Sequence, residues 1–253
     1  MRMPDFIIGG APRSGTTWLY AALDLHPGVY MAKPVTPEPK FFLVDDIYAK
    51  GIEHYCDHWF ADAPTSAVAG EKSTNYLESP VVAQRIHDTM PKTKLIFLLR
   101  EPVDRAFNNW LWSKTNGVES DTFESALNQE EVRERSLTPA MRYARPHALF
   151  SRGLYAQLLR PYFNLFPRDQ LLVLRFEDII TKPQILLARV HRFLGVAERP
   201  EDAMQLGVIN RAKGELELRI PENMRKRLQA AYAQPNRELS TLLGPDFSLW
   251  GEE

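Results

Sequence analysis

A glycine-rich segment near the start of the chain has the spacing of a phosphate-binding loop. Residues 10–17 read Gly-Ala-Pro-Arg-Ser-Gly-Thr-Thr, with an apolar run at 6–8 before them and a helical pattern after them. Gly10 and Gly15 allow backbone conformations closed to other residues, so successive N–H groups can turn toward one anion. The helix that follows adds its positive dipole end. Strand, loop and helix in this order predict a site for a ligand that carries a phosphate.

The charged residues near this loop differ from those of nucleoside triphosphatases. Thr16 stands where those proteins have lysine before the Ser/Thr, and the cation of the loop is Arg13. The clearest buried strand, 94–99, leads into Arg100 rather than into an aspartate that would hold Mg²⁺. An arginine binds an anion directly. The pattern therefore predicts a ligand with two separated phosphates, bound without a metal.

Composition and charge limit the class of protein. The chain has 253 residues, 44% of them hydrophobic and 25% charged, which is typical of one globular protein with a sizeable core. A formal net charge of −1 argues against general nucleic-acid binding. No apolar run is long enough to span a membrane, and the first residues lead directly into a strand, so we expect no membrane span and no signal peptide. The single cysteine, Cys56, fits a reducing compartment, and we expect a cytoplasmic protein in which it is a small buried side chain.

Predicted strands alternate with predicted helices along the chain. The apolar runs that predict strands are 6–8, 29–31, 67–70, 94–99 and 171–174. The predicted helices are 46–60, 79–90 (Ser79 as cap, Pro80 first), 102–115, 154–166, 182–194 and 224–232, with a short helix after the last. This alternation implies a parallel α/β sheet covered on both faces, with ligands beyond the carboxyl ends of the strands. We expect one edge of the sheet to carry Arg13, Glu38, Lys72 and Arg100.

The chain shows no internal repeat and no convincing linker, so we predict one domain over 1–253. Residues 116–150 are polar, charge-rich and weakly periodic. We interpret them as an insertion and as a candidate mobile segment. Arg105 is expected to pair with Glu101 or Asp104 on its own helix.

Several segments together resemble the sulfotransferase family that uses 3′-phosphoadenosine 5′-phosphosulfate (PAPS). Residues 12–18 match the 5′-phosphosulfate loop of that family, and 100–110 match its 3′-phosphate strand and helix. Shorter matches follow the same order at 38–42, 71–73, 153–155 and 213–214. The chain is most similar to the heparan-sulfate-type branch and its bacterial relatives. The resemblance implies a P-loop NTPase-like three-layer fold around a mostly five-stranded parallel sheet, with PAPS as donor, 3′-phosphoadenosine 5′-phosphate (PAP) as product and no metal.

The resemblance also implies roles for residues of the loop. Arg13 would neutralise charge at the oxygen that bridges phosphate and sulfate. Thr16 and Thr17 would donate to the 5′-phosphate, within a match that also includes Ser14 and Gly15. Trp18 would lie against the adenine by analogy with relatives; packing in the core is the alternative.

The 3′-phosphate would be held by a second group of residues. The resemblance assigns this role to Arg100, Asn108, Lys213 and Gly214. The family usually has serine where this chain has Asn108, whose amide can still donate a hydrogen bond.

A carboxylate and a lysine are the candidates for acid–base chemistry. The match at 38–42 implies that Glu38 is the general base, since a carboxylate in a proline-rich loop would otherwise be a solvated surface group. Lys72 follows a predicted strand, where it could orient Glu38 or contact the sulfate; a surface ion pair is the alternative. Lys40 stands where the family often has histidine, which suggests a different acceptor. Tyr155 matches a position near donor or acceptor, with packing as the alternative, and His147 is the next candidate base.

The function predicted from these observations is sulfuryl transfer to a hydroxyl or amine of a glycan, glycolipid or small metabolite. The alternatives are a non-catalytic nucleotide-binding protein of the same fold and a P-loop kinase. None of the six histidines has a spacing that suggests a metal site. The near-neutral charge argues against a highly sulfated polymer as acceptor.

Overall fold

The computed structural model describes residues 1–207, 218–245 and 247–250. The chain forms two units, each discontinuous in sequence. The first unit contains Met1–Leu99 and Pro161–Asn210, and the second contains Arg100–Arg160 and Arg211–Glu253. One domain over 1–253 stays a prediction.

A five-stranded parallel sheet forms the centre of the first unit. Its strands are β1 (Phe6–Gly10), β2 (Val29–Met31), β3 (Val68–Lys72), β4 (Lys94–Leu99) and β5 (Leu171–Arg175). They are arranged in the order β2-β3-β1-β4-β5, and every pair is parallel. Helices flank the sheet. The predicted α/β class and the positions of all five strands are confirmed.

The central strands are apolar on both faces because both faces are covered. Phe6 and Ile8 of β1 pack in one cluster with Ile96 and Leu98 of β4. On the opposite face, the ring of Phe97 meets Tyr162 edge-on with centroids 4.9 Å apart. A continuous apolar run such as 94–99 is the expected sequence of a strand buried in this way.

The first unit contains the helices α1 (Thr16–Asp24), α2 (Asp45–Tyr48), α3 (Gly51–Phe60), α4 (Pro80–Thr89), α8 (Glu177–Thr181) and α9 (Pro183–Leu194). α4 and α9 begin and end within one residue of their predicted limits, whereas α8 was not predicted. The single helix predicted at 46–60 is wrong, because Gly51 has a φ of 85° and separates α2 from α3. Pro80 is the first residue of α4 as predicted, but the side chain of Ser79 makes no capping hydrogen bond.

The second unit is helical in the part that the structure describes. It contains α5 (Pro102–Thr115), α6 (Phe123–Arg135) and α10 (Glu222–Leu243), and α7 (Tyr155–Leu165) begins in it. Its core includes Phe107, Trp110 and Phe123, which meet ring to ring.

Segment 116–150 contains a helix that was not predicted, α6, which has 13 residues with Phe123 and Ala126 buried. The mobility of the segment stays a prediction. The two helices expected near the C-terminus are one, since α10 continues through Pro235 for 22 residues. Among the described residues, no helix is both long and apolar enough to cross a membrane.

Candidate functional site

The glycine-rich loop between β1 and α1 has a shape that only small residues allow. Gly15 has a φ of 84°, and a Cβ added there would lie 2.4 Å from the Cδ1 of Ile179. A Cβ on Gly10 would lie 2.7 Å from the Cβ of Leu77. Both glycines are therefore required by close packing under the loop, and Gly15 also by its left-handed backbone. Side chains at these positions would force the loop out of its present shape.

The loop directs polar groups toward the start of α1. Gly15 is the N-cap residue, and the first N–H groups of a helix have no partner inside it. Ser14 is fully buried, and its Oγ has no hydrogen-bond partner among the described residues. Arg13 has a φ of 65° and is half-buried. Orphaned donors at a helix N-terminus, together with a buried free hydroxyl, fit a phosphate ligand.

The remaining loop residues lie where the sequence placed them. Thr16 is buried and Thr17 is half-buried in the first turn of α1. Trp18 is 5% exposed and belongs to the apolar core of the first unit. Packing thus accounts for the position of Trp18, and its contact with adenine stays a prediction.

Glu38 and Lys72 form an ion pair, with the Nζ of Lys72 donating to Oε1 of Glu38. The side chain of Lys72 is only 5% exposed and that of Glu38 only 13%, so this is not a surface ion pair. The backbone N–H of Thr74 donates to Oε2 at 3.1 Å, and its Oγ1 lies 3.1 Å from Oε1. An ionised carboxylate has about four acceptor positions, which leaves room for one more donor.

Sequence reasoning gave an interaction with Glu38 as one of the possible roles of Lys72, but it missed Thr74. Lys72 is the last residue of β3, and Thr74 follows in the turn beyond the strand. The available signal was the general one that polar groups at the carboxyl ends of parallel strands converge.

Lys40 lies on the same loop as Glu38. Its backbone is left-handed, with a φ of 49°, and its N–H donates to Oγ of Ser73 at 2.9 Å. The side chain of Lys40 is half-buried. Its role toward an acceptor stays a prediction.

Two of the predicted site residues come together within the second unit. Tyr155 is 1% exposed, and its hydroxyl donates to the carbonyl of Arg100 at 2.8 Å. Tyr155 therefore fixes the backbone at Arg100, which immediately follows β4 in the chain. Asn108 is buried on α5. Lys213 and Gly214, predicted to hold the 3′-phosphate, lie outside the described residues.

Arg105 does not make the predicted pair with Glu101 or Asp104. Its side chain is fully buried, and its Nη2 donates to the backbone carbonyl of Leu149. Asp104 pairs instead with Arg225 at 2.7 Å. Arg105 is thus an internal support of the second unit rather than a surface partner.

The other candidate reactive groups have structural explanations. Burial raises the pKa of the Cys56 thiol to about 11, which suits the predicted buried side chain rather than a nucleophile. Burial is also the main cause of the lowered pKa of His147, and the backbone N–H of this residue donates to Oε1 of Glu134 at 2.8 Å. Within residues 1–207, 218–245 and 247–250, no three His, Cys, Asp or Glu side chains are grouped as metal ligands.

Comparison with known proteins gives a match to the sulfotransferase domain family over residues 3–226. Human bifunctional heparan sulfate N-deacetylase/N-sulfotransferase 2 is 30% identical over 203 residues, which cover 77% of this chain and 22% of that protein. Mouse heparan sulfate glucosamine 3-O-sulfotransferase 6 is 28% identical over 274 residues, covering 97% of this chain and 73% of the relative. The chain therefore spans only about a fifth of the length of the N-deacetylase/N-sulfotransferase relatives it matches.

Solved structures show the same architecture. A sulfotransferase from Alicyclobacillus acidocaldarius is 27% identical with a TM-score of 0.79, and the likeness covers 99% of both chains. The mouse sulfotransferase SULT7A1 complexed with PAP has a TM-score of 0.52 at 15% identity, covering 96% of this chain and 84% of that one. This second likeness concerns the fold alone.

Proposed function

The chain belongs to the sulfotransferase domain family, and we propose from this premise that it transfers a sulfuryl group from PAPS to a hydroxyl or amine of a glycan, glycolipid or small metabolite. The observation that carries the proposal is the nearly buried pair of Glu38 and Lys72, in the unit that also contains the phosphate-binding loop. A protein that only bound a nucleotide would have no need of this pair. Burying two charges is costly unless their geometry is fixed, and here it is.

The donor would be bound through its phosphates. Ser14, Thr16 and Thr17, with the N–H groups at the start of α1, would hold the 5′-phosphate. The 3′-phosphate is assigned to Arg100, Asn108, Lys213 and Gly214, on the resemblance of the 100–110 and 213–214 segments. When bound, the donor supplies an activated sulfuryl group, and no metal is required for the proposal.

Residues of the two loops and of β3 would each have a separate role in the transfer. Glu38 accepts the proton of the acceptor's hydroxyl or amine at a carboxylate oxygen. Lys72 and Thr74 hold that carboxylate in one orientation, so little entropy is lost when the acceptor arrives. Arg13 supplies positive charge where the departing phosphate gains negative charge.

The relatives point to an amino sugar as one kind of acceptor. The names of two of them specify N-sulfation and glucosamine 3-O-sulfation, so both amine and hydroxyl acceptors occur among similar proteins. Lys40, which lies two residues after Glu38, is the residue we assign to the acceptor. Its charge would favour an acceptor with an acidic group nearby.

A P-loop kinase is less well supported. The residue that follows β4 is Arg100, not an acidic residue for Mg²⁺, and Thr16 replaces the loop lysine.

A cytoplasmic location is also part of the proposal, because the single cysteine is buried and unpaired.

Calorimetry with PAP in EDTA tests the proposed donor site. We expect binding without metal, at least about 10-fold tighter for PAP than for AMP, because AMP lacks the 3′-phosphate and its charge-assisted hydrogen bonds. Equal affinities for PAP and AMP would remove the dedicated 3′-phosphate site from the proposal.

A further inference from the structure

A buried carboxyl group lies next to the residues that bind the side chain of Glu38. Glu71, the residue before Lys72 in β3, is completely buried. The hydroxyl of Ser73 donates to its Oε2 at 2.7 Å, and that of Tyr55 donates to its Oε1 at 3.2 Å. The hydroxyl of Tyr76 also interacts with this carboxyl group and favours its ionised form. The carboxyl group of Glu71 thus interacts with three hydroxyls, from α3, from the residue after β3 and from the 3₁₀ turn Tyr76–Glu78.

Two of these hydroxyls also bind the backbone of the loop that carries Glu38. Oγ of Ser73 accepts the N–H of Lys40 at 2.9 Å, and the hydroxyl of Tyr76 accepts the N–H of Phe42 at 3.2 Å. A hydroxyl that accepts one hydrogen bond and donates another connects its two partners and polarises both bonds. The N–H groups of Lys40 and Phe42 are therefore both connected to Glu71.

The loop needs such support. Lys40 holds a left-handed backbone conformation, which is unfavourable for a residue with a Cβ. The residues next to Glu71 meanwhile bind the side chain of Glu38, through Lys72 and Thr74. Segment 71–76 thus holds the loop at three alternate positions, which are 38, 40 and 42.

We propose that Glu71 is a positioning residue for Glu38, acting through the hydroxyls of Ser73 and Tyr76 on the backbone of the loop. The catalytic part of this inference rests on the proposed function. The anchoring part does not.

Burying the carboxyl group of Glu71 has a free-energy cost, which argues against a role in stability alone. Burial, the largest cause, raises the pKa of Glu71 to about 7, and the hydrogen bonds from Ser73, Tyr76 and Tyr55 only partly oppose it. The charge of Glu38 on the facing loop raises it further. With a pKa of about 7, Glu71 would be ionised above neutral pH, where both oxygens accept hydroxyls, and protonated below it, where one oxygen carries a proton and is a poorer acceptor. Turnover should weaken as Glu71 takes up its proton.

The variant Glu71→Gln tests this proposal in the full-length chain. It keeps the volume but replaces one acceptor oxygen with an NH₂ donor, so at least one of the hydroxyls around Glu71 loses its acceptor, and the network that includes Ser73 must rearrange. Amide hydrogen exchange followed by NMR should show Lys40 and Phe42 exchanging about 10- to 100-fold faster, the loss expected when hydrogen bonds to a charged group are removed. Turnover should fall by about 10-fold or more with the donor KM nearly unchanged. The fall in turnover that we expect of wild type as the pH drops below about 7 should be absent from Glu71→Gln.

Three further variants isolate the effect. Ser73→Ala should speed exchange mainly at Lys40, and Tyr76→Phe mainly at Phe42, since each removes one of the two connections. Glu53→Gln, on the exposed side of α3, is the matched control and should change neither exchange nor turnover.

Unchanged exchange at both amides in Glu71→Gln would overturn the anchoring. Faster exchange with wild-type turnover and pH profile would overturn the positioning role. If wild type transfers no sulfuryl group, the proposed function and the catalytic part of this inference both fail, while amide exchange still decides whether Glu71 anchors the loop.

Discussion

Glu38→Gln is the substitution that separates chemistry from binding at this site. Glutamine keeps the shape of the side chain, and its carbonyl oxygen can still accept from Thr74. It cannot take up a proton from the acceptor. We therefore expect turnover to fall about 10²- to 10⁴-fold, the usual contribution of a positioned general base, with PAP affinity almost unchanged.

The same change should also cost stability, because Lys72 loses its counter-charge. Removing one partner of a fully buried pair costs about 3–5 kcal/mol. The side chain of Glu38 is 13% exposed and its contact with Thr74 can persist, so we expect about 1–3 kcal/mol here. Lys72→Met in the same chain removes the unpaired charge, so the double variant should regain part of the stability but none of the turnover.

Three measurements check this prediction. PAP formation gives turnover, calorimetry gives PAP affinity, and urea unfolding gives the free energy of unfolding. Glu53→Gln serves as control. Wild-type turnover in Glu38→Gln would refute the assignment; the base would then lie elsewhere, and His147→Gln would be the next variant to measure.

Three further predictions concern the loop, the second phosphate and the pH dependence of stability. Arg100→Ala should weaken PAP binding by about 2–4 kcal/mol through loss of a charge-assisted contact, whereas Arg13→Ala should lower mainly kcat; both are read from calorimetry and kinetics. Gly15→Ala should abolish PAP binding measured by calorimetry while far-UV circular dichroism stays unchanged, because its φ of 84° and the side chain of Ile179 leave no place for a Cβ. Burial lowers the pKa of His191 to about 4, so the unfolded chain binds more protons below its ordinary pKa of 6.5. Relative to His191→Asn, wild type should lose about 3 kcal/mol in urea unfolding as pH falls from 6.5 to 4; a constant difference would contradict this.

Much of the fold was predictable because local patterns decide it. The buried strands are short apolar runs, and the glycine-rich loop contains the glycines that its backbone conformation and packing require. The limits of α5 follow from Pro102 at its first turn. In each case the physical cause lies within a few residues of the feature.

The incorrect predictions concern features that the local sequence pattern does not reveal. Gly51 ends one helix and begins another through a left-handed backbone that periodicity alone does not reveal. α6 is weakly amphipathic, and its burial depends on α5 and on Phe123, which packs against Phe107. Arg105 turned inward to a carbonyl 44 positions away, at Leu149.

The candidate site shows the same division. An interaction of Lys72 with Glu38 was one of the predicted alternatives, because Lys72 lies at the end of a strand and Glu38 lies in a loop that matches a known family. The support from Glu71, Ser73 and Tyr76 was not predicted, because hydroxyl contacts over 30 positions leave no periodic signal.

The central claim is that this chain moves a sulfuryl group from PAPS to an acceptor, and mass spectrometry tests it most directly. The full-length chain would be incubated in EDTA with PAPS and glucosamine oligosaccharides that carry free amines and hydroxyls. We predict acceptors heavier by one sulfuryl group, with an equal amount of PAP formed, and no such product with Glu38→Gln. Intact PAPS, or PAP formed while every acceptor in a broader glycan, glycolipid and metabolite panel keeps its mass, would contradict the account.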